Sequence, residues 1–285
     1  MHIQQDIKHI IYNGTLVPEN WLKIPHNNKS FRYGIGCFET MRLQSMDIPL
    51  FNFHWQRLNA GIEALQFKLL KPLNNELLLK QVRQLCTINH CEQSARIRIT
   101  LYANTVLLSD DNYADYIIEA QPAGSYADLI SNNEILRANV FYGNKKAVDS
   151  FSNFKISNYL HNSMAILFAR QNGWQDMFVV NSFNEIIETT TSNFLVVTNN
   201  KITTAELSAG PVKGVMLQWL QQNVHHTGLE ITASKITEET LTNADEIILT
   251  NAMGIRPVTM FRDKQMPGNK IYKQLCQLIS DHLFK

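Results

Sequence analysis

Short β-prone runs punctuated by turn-forming residues open the chain. KHIIYNGTLVP sets Asn13-Gly14 between two such runs, the composition of a tight hairpin turn. FETMRL and IPLF flank a polar turn at Gln44 to Asp47 and predict a second strand pair. FNFHWQRLNAGIEALQF then switches to helical spacing through Leu58, Ile62 and Leu65, and Asn75 to Asn89 predicts another helix. ARIRITLYA returns to alternation, with Ile97, Ile99 and Leu101 on one face and Arg96, Arg98, Thr100 and Tyr102 on the other.

After the strand-like ADYIIEA, the segment QPAGSYADLISNN is rich in turn-formers and marks a domain junction. The expected division is a domain over residues 1–121, a linker over 122–133 and a domain over 134–285. Downstream, EILRANVFY predicts a strand and GNKKAVDSFSN a loop. A helix follows with Leu160, Met164, Leu167 and Phe168 as an inward-packing stripe and Asn158 as a candidate cap. DMFVVN, EIIETTT and NFLVVTNNKITT read as consecutive strands, with a turn at Asn199-Asn200. Gly214 opens a helix through Leu217, Leu220 and Val224; EIILT leads through NAMG to another short strand; and a last helix starts near Lys270 behind Asn269. Hairpins outnumber βαβ units, so the fold class is α+β, mixed helix and sheet.

Composition narrows the partners. Lysine plus arginine (26) nearly balances aspartate plus glutamate (25) over 285 residues, so no basic field points to nucleic acid or an anionic membrane. A small molecule is the expected partner. Cys37, Cys86, Cys91 and Cys276 form no CxxC pair and no metal spacing, which suits ordinary thiols in a reducing, cytoplasmic compartment. MHIQQDIKHIIYNG lacks the apolar core of a leader, and no run reaches membrane-spanning length. The motifs GxxxxGK[ST], GxGxxG before a helix, GxSxG and HExxH are absent, and the nine histidines are scattered.

A dispersed set of residues makes chemical sense together. Lys155 precedes a helix, Arg57 lies on one, and Glu188 ends a β-prone run before Thr189, Thr190, Thr191 and Ser192. The helix start at Gly214 and the loop at Asn251 and Ala252 offer backbone N–H groups suited to a phosphate, and an arginine can clamp the same group. A lysine can form a Schiff base with an aldehyde, and a carboxylate can hold a ring nitrogen protonated. These are the demands of pyridoxal 5'-phosphate. On spacing alone each residue also has an ordinary role: Arg57 paired with a surface acid, Glu188 solvating a strand end, Tyr159 filling an amphipathic core position.

The ordered motifs resemble the class IV, or fold type IV, pyridoxal-phosphate enzymes, a family that includes branched-chain and D-amino acid aminotransferases and aminodeoxychorismate lyase. FRYGIGCFETMRL resembles the family's early glycine-containing strand, HWQRL its H-x-x-R-L motif, KISNYL its lysine segment and EIIETTTSNFLVV its glutamate segment. GPVKGVM and LTNAMGIRPV resemble its two backbone phosphate loops. The resemblance runs almost end to end.

It implies a two-domain fold type IV architecture with Lys155 as the Schiff-base lysine in the larger carboxy-terminal domain. Lys155 would also be the base that moves the substrate Cα proton. Glu188 would face the pyridine nitrogen, Arg57 with backbone donors of Val215, Met216 and Asn251 or Ala252 would hold the phosphate, and Tyr159 would approach the cofactor's phenolic oxygen. Tyr33, Arg98 and Thr40 fall on the substrate side. The implied activity is amino transfer between an amino acid, branched-chain-like or D, and a 2-oxo acid, with aminodeoxychorismate lyase as the alternative, and the implied assembly is a homodimer. NAM...PV leans toward the lyase, while Tyr33, Arg98 and Tyr159 lean toward an aminotransferase that grips a carboxylate.

Overall fold

The computed structural model describes residues 8–105, 111–131 and 135–284. Met1 to Ile7, the start of the stretch read for a leader, and residues 132–134, where the expected linker meets the second domain, lie outside the described residues. The chain divides into two compact units. One runs to Ser125 and takes in Lys155–Asn158; the other comprises Tyr126–Phe154 and Tyr159–Lys285.

The first unit begins with β1 (His9–Tyr12) and β2 (Thr15–Pro18), joined by Asn13 and Gly14, both at positive φ as a tight hairpin requires. Then come α1 (Lys29–Tyr33), β3 (Gly36–Gln44), α2 (Phe51–Ala64), β4 (Lys68–Leu69), α3 (Asn75–Ile88), β5 (Ser94–Ala103) and β6 (Tyr113–Pro122). The sheet order is β2-β1-β6-β5-β3, with β4 alongside β6. Ile97, Ile99 and Leu101 of β5 are fully buried and pack with Met41, Leu43, Leu78, Val82 and Leu85 in the main core. IPLF does not form a strand. Only the bridge Gln44↔Asp47 forms there, and Phe51 already opens α2, because Pro49 cannot supply the N–H a paired strand needs.

In the second unit α4 (Tyr126–Ser131) lies in the stretch expected as linker. It is followed by β7 (Arg137–Lys146), α5 (Leu160–Gln171), β8 (Asp176–Asn181), β9 (Ile186–Thr189), β10 (Asn193–Thr198) and β11 (Lys201–Ala205). Next come α6 (Val215–Asn223), β12 (Ile231–Ser234), α7 (Glu238–Thr242), β13 (Glu246–Asn251) and β14 (Gly254–Pro257). The chain finishes with β15 (Met260–Phe261), β16 (Lys264–Gln265) and α8 (Lys270–His282). Two five-stranded sheets result, ordered β12-β11-β10-β13-β14 and β16-β15-β7-β8-β9. The α+β expectation holds.

Helix α5 forms where its spacing predicts, but the expected inward stripe faces out. Leu160 is 61% exposed, and Met164, Leu167 and Phe168 are also exposed, while Asn162, Ala165 and Ala169 are buried. Small side chains let the helix lie close to Phe141, Met177 and Val179, so the buried face is the narrow one. Tyr159, not Asn158, stands at the N-cap position, and no side chain caps the helix. Asn269 precedes α8 as expected, again without a side-chain capping bond.

A charged node sits in the first unit's interior. Glu39, 1% exposed on β3, accepts from Arg57 Nε at 2.5 Å and Nη2 at 2.8 Å and from His54 Nδ1 at 2.7 Å. Burial alone would raise the Glu39 carboxyl, but the Arg57 guanidinium and the hydrogen bonds from Arg57 and His54 outweigh it and hold it down to about 2. Burial keeps His54 below the usual histidine range. A carboxyl depressed on folding contributes stability that is complete above its unfolded value and lost as pH falls through the folded one. Between about pH 6 and about pH 2, Glu39→Gln should therefore lose less stability than the wild type as acid is added, read from denaturant midpoints. Equal slopes for the two proteins would refute this.

Candidate cofactor and substrate residues

In the first unit, the lysine segment is laid against the start of β3. Phe38 N–H donates to the Lys155 carbonyl at 2.9 Å, Ser157 N–H donates to the Gly36 carbonyl at 2.8 Å, and Cys37 and Ile156 form an antiparallel bridge. Gly36 is needed at this junction: a Cβ there would lie 2.7 Å from both Leu101 O and Ser157 Oγ. The Lys155 ammonium stands 4.6 Å from the Phe38 ring centroid, and the Arg98 guanidinium stands 3.8 Å from the same ring. Arg98 also donates to Thr100 Oγ1 at 3.0 Å and pairs across the strands with Thr40. Thus Lys155, Arg98 and Thr40 meet on one stretch of β3 and β5. Arg57 lies on α2 as expected, and its carboxylate partner is the buried Glu39 rather than a surface acid. Tyr33, at the end of α1, is 53% exposed.

In the second unit, Glu188 is 4% exposed on β9. Its Oε1 accepts from Lys146 Nζ at 2.8 Å and its Oε2 from the Val212 N–H at 2.7 Å. Tyr159 donates its hydroxyl to the Thr190 carbonyl at 2.7 Å, and Asn162 Nδ2 donates to the same carbonyl at 2.8 Å. The Thr190 turn is itself held by buried Asp176, which accepts from the Thr190 hydroxyl at 2.6 Å and the Thr189 hydroxyl at 3.0 Å. Asn251 Nδ2 donates to Ser192 Oγ at 3.0 Å, which ties the loop carrying Asn251 and Ala252 to the end of the glutamate segment.

The start of α6 suits an anion. Val215 and Met216 are buried in its first turn, and no side chain caps it at Gly214. A Cβ on Gly214 would fall 1.7 Å from Asn193 Oδ1, so only glycine brings the backbone this close. Thr250 Oγ1, His161 Nε2 and Asn162 Oδ1 are three of the eight buried side-chain atoms without a hydrogen-bond partner among the described residues. An uncapped, buried helix start fits a phosphorylated compound. A cavity of about 300 Å³ also flanks Gly214, but its lining includes neither Val215, Met216 nor Glu188, so it does not coincide with this cradle. No group of metal-ligating side chains is assembled among the described residues.

Two residues stand out that sequence reasoning passes over. Glu39 is the one acid inside the buried run GCFETMRLQ, and a charge at such a position is a usable signal. Lys146 falls in a stretch that reads as a loop, whereas β7 extends through it.

The chain is similar to known proteins along most of its length. The chain is 23% identical over 252 residues to the aminodeoxychorismate lyase of Bacillus subtilis (strain 168), covering 86% of this chain and 83% of that protein. The crystal structure of the Escherichia coli branched-chain amino acid aminotransferase matches with a TM-score of 0.86 at 22% identity, covering 98% of this chain and 95% of that one. The T.th. branched-chain amino acid aminotransferase with pyridoxamine 5'-phosphate matches with a TM-score of 0.86 at 19% identity, over 98% and 94%. The architecture is accordingly that of the fold type IV enzymes. The sequence profile of the family Amino-transferase class IV matches residues 36–261, most of the chain, and the chain therefore belongs to the class IV aminotransferase family of pyridoxal-phosphate-dependent enzymes.

Proposed function

We propose that this protein is a pyridoxal-phosphate-dependent aminotransferase that exchanges an amino group between an amino acid, branched-chain-like or D, and a 2-oxo acid. The observation that carries the reading is the strand-clamped Lys155 sharing the Phe38 ring with Arg98. A reactive amine and a guanidinium on one aromatic platform suit a substrate that offers a carbonyl or amine beside a carboxylate.

Lys155 would bind the cofactor's aldehyde covalently and, once released, move the proton at the substrate Cα. Glu188 would hold the ring nitrogen. Arg57, with backbone N–H groups of Val215, Met216 and Asn251 or Ala252, would hold the phosphate, and Tyr159 would lie by the phenolic oxygen. When bound, the cofactor supplies an electron-withdrawing ring that stabilises negative charge developing at Cα. Arg98 would receive the substrate carboxylate, with Tyr33 and Thr40 lining the same side.

The second reading, aminodeoxychorismate lyase, uses the same residues to release pyruvate and 4-aminobenzoate. Similarity to the Bacillus subtilis lyase supports it, together with the NAM...PV loop. A homodimer is proposed for either activity. Leu160, Met164, Leu167 and Phe168 on one face of α5 form an exposed apolar stripe of the kind that subunit contacts cover.

Incubated with pyridoxal 5'-phosphate, the wild type should turn yellow and give a borohydride-reducible adduct. Lys155→Ala should give none and lose at least about a thousandfold in turnover; a reducible adduct in the variant would remove Lys155 from its role. In single turnover with L- and D-amino acids, at least one should convert the loaded protein to its pyridoxamine form. Formation of 4-aminobenzoate from aminodeoxychorismate with no such conversion would establish the lyase instead. Light scattering should report twice the 32.7 kDa chain mass, and Leu167→Glu should shift it toward one; a fully active wild-type monomer would refute the dimer.

A further inference from the structure

The end of β7 carries two adjacent lysines with opposite fates. Lys145 is exposed, whereas Lys146 is 7% exposed and turned inward. A break in register makes the difference. β7 and β8 pair in step from Ala138↔Asp176 to Phe141↔Val179, then jump to Lys146↔Asn181. Gly143 permits the irregularity, since a Cβ there would sit 2.7 Å from the Phe141 ring. A second shift lies between Val179↔Glu188 and Val180↔Ile186 on the other edge of β8. Two irregularities thus bring one lysine and one glutamate to the same buried point.

Stability does not account for the pair. A buried ion pair gains little over an apolar pair of equal volume, because both charges lose their hydration. Its distinctive property is geometric. With Lys146 on Oε1 and the Val212 N–H on Oε2, the carboxylate plane of Glu188 is fixed and each oxygen retains acceptor capacity for another donor. Among the described residues, Glu188 is the single acceptor of the Lys146 ammonium. The other titratable group facing the pair is His161, whose basicity is lowered by burial and then by Lys146, with Glu188 opposing.

We propose that Lys146 is a positioning residue for Glu188: it fixes the carboxylate's orientation and charge in the cofactor-free protein, so that a protonated ring nitrogen meets a prepared acceptor. This rests on the reading that Glu188 faces the cofactor's ring nitrogen. Without Lys146, a buried carboxyl with one N–H partner favours its neutral form. A neutral carboxyl cannot balance a ring cation.

The test uses full-length wild type, Lys146→Met, Lys146→Arg and Lys146→Met/Glu188→Gln, with two readouts. One is the pyridoxal 5'-phosphate dissociation constant from tryptophan quenching; the other is the Tm of cofactor-free protein against pH. Lys146→Met should bind the cofactor at least about tenfold more weakly, and Lys146→Arg within about threefold of wild type. A carboxyl that binds its proton more tightly folded than unfolded loses its contribution as pH rises. The Tm of Lys146→Met should therefore fall relative to wild type as the pH rises above the ordinary carboxylate range, and the added Glu188→Gln should abolish that fall. The fall should persist when wild type and Lys146→Met are compared with His161→Gln in both, which separates Glu188 from His161. Wild-type affinity or a wild-type pH profile in Lys146→Met overturns the proposal. So does a uniform loss of Tm that Lys146→Arg does not rescue. A wild type that takes up no pyridoxal 5'-phosphate at Lys155 overturns the cofactor reading as well, and the first outcomes leave that reading intact.

Discussion

Much of the first unit hangs on the two edges of β3. Along one edge it pairs with β5 from Gly36↔Tyr102 to Gln44↔Ser94. At its start the other edge takes the Lys155–Asn158 segment through the Phe38 and Ser157 backbone bonds. An edge strand left open is a hazard, and here a piece of chain remote in sequence covers it. The lysine thereby gains a main-chain fixture that owes nothing to its own side chain. Its freedom is reduced to the four-carbon arm, whose end rests over Phe38.

Each unit also buries an acid from the middle of an apolar strand and balances it with a cation from a neighbouring element. In the first unit Glu39 of β3 meets Arg57 of α2; in the second Glu188 of β9 meets Lys146 of β7. Both acids lie where burial should cost most, and in both cases every carboxylate oxygen has a donor. The arrangement is expensive as architecture, and its product is a set of charges whose directions are fixed.

Much of this is readable from residue order. The Asn13-Gly14 hairpin, the alternation of β5 and the helix from Asn75 announce themselves because each pattern has one dominant physical solution. IPLF misleads because its apolar content resembles a strand, while Pro49 and the tight Gln44–Asp47 turn send the chain into α2. Spacing finds α5 but not its buried side: periodicity says that a helix is two-faced, and only the neighbours decide which face is covered. Ala165 and Ala169 carry little hydrophobic signal yet permit the closest approach. Lys146 is hidden for a related reason, since a register shift has no local sequence signature beyond Gly143.

The Thr190 carbonyl has a last consequence. A phenol has one proton, and Tyr159 commits it to that carbonyl, which Asn162 also holds. While this bond stands, Tyr159 can greet an incoming group only with lone pairs. The hydroxyl hydrogen is thereby spent on the main chain, and the Thr190 turn and the start of α5 are held together through it.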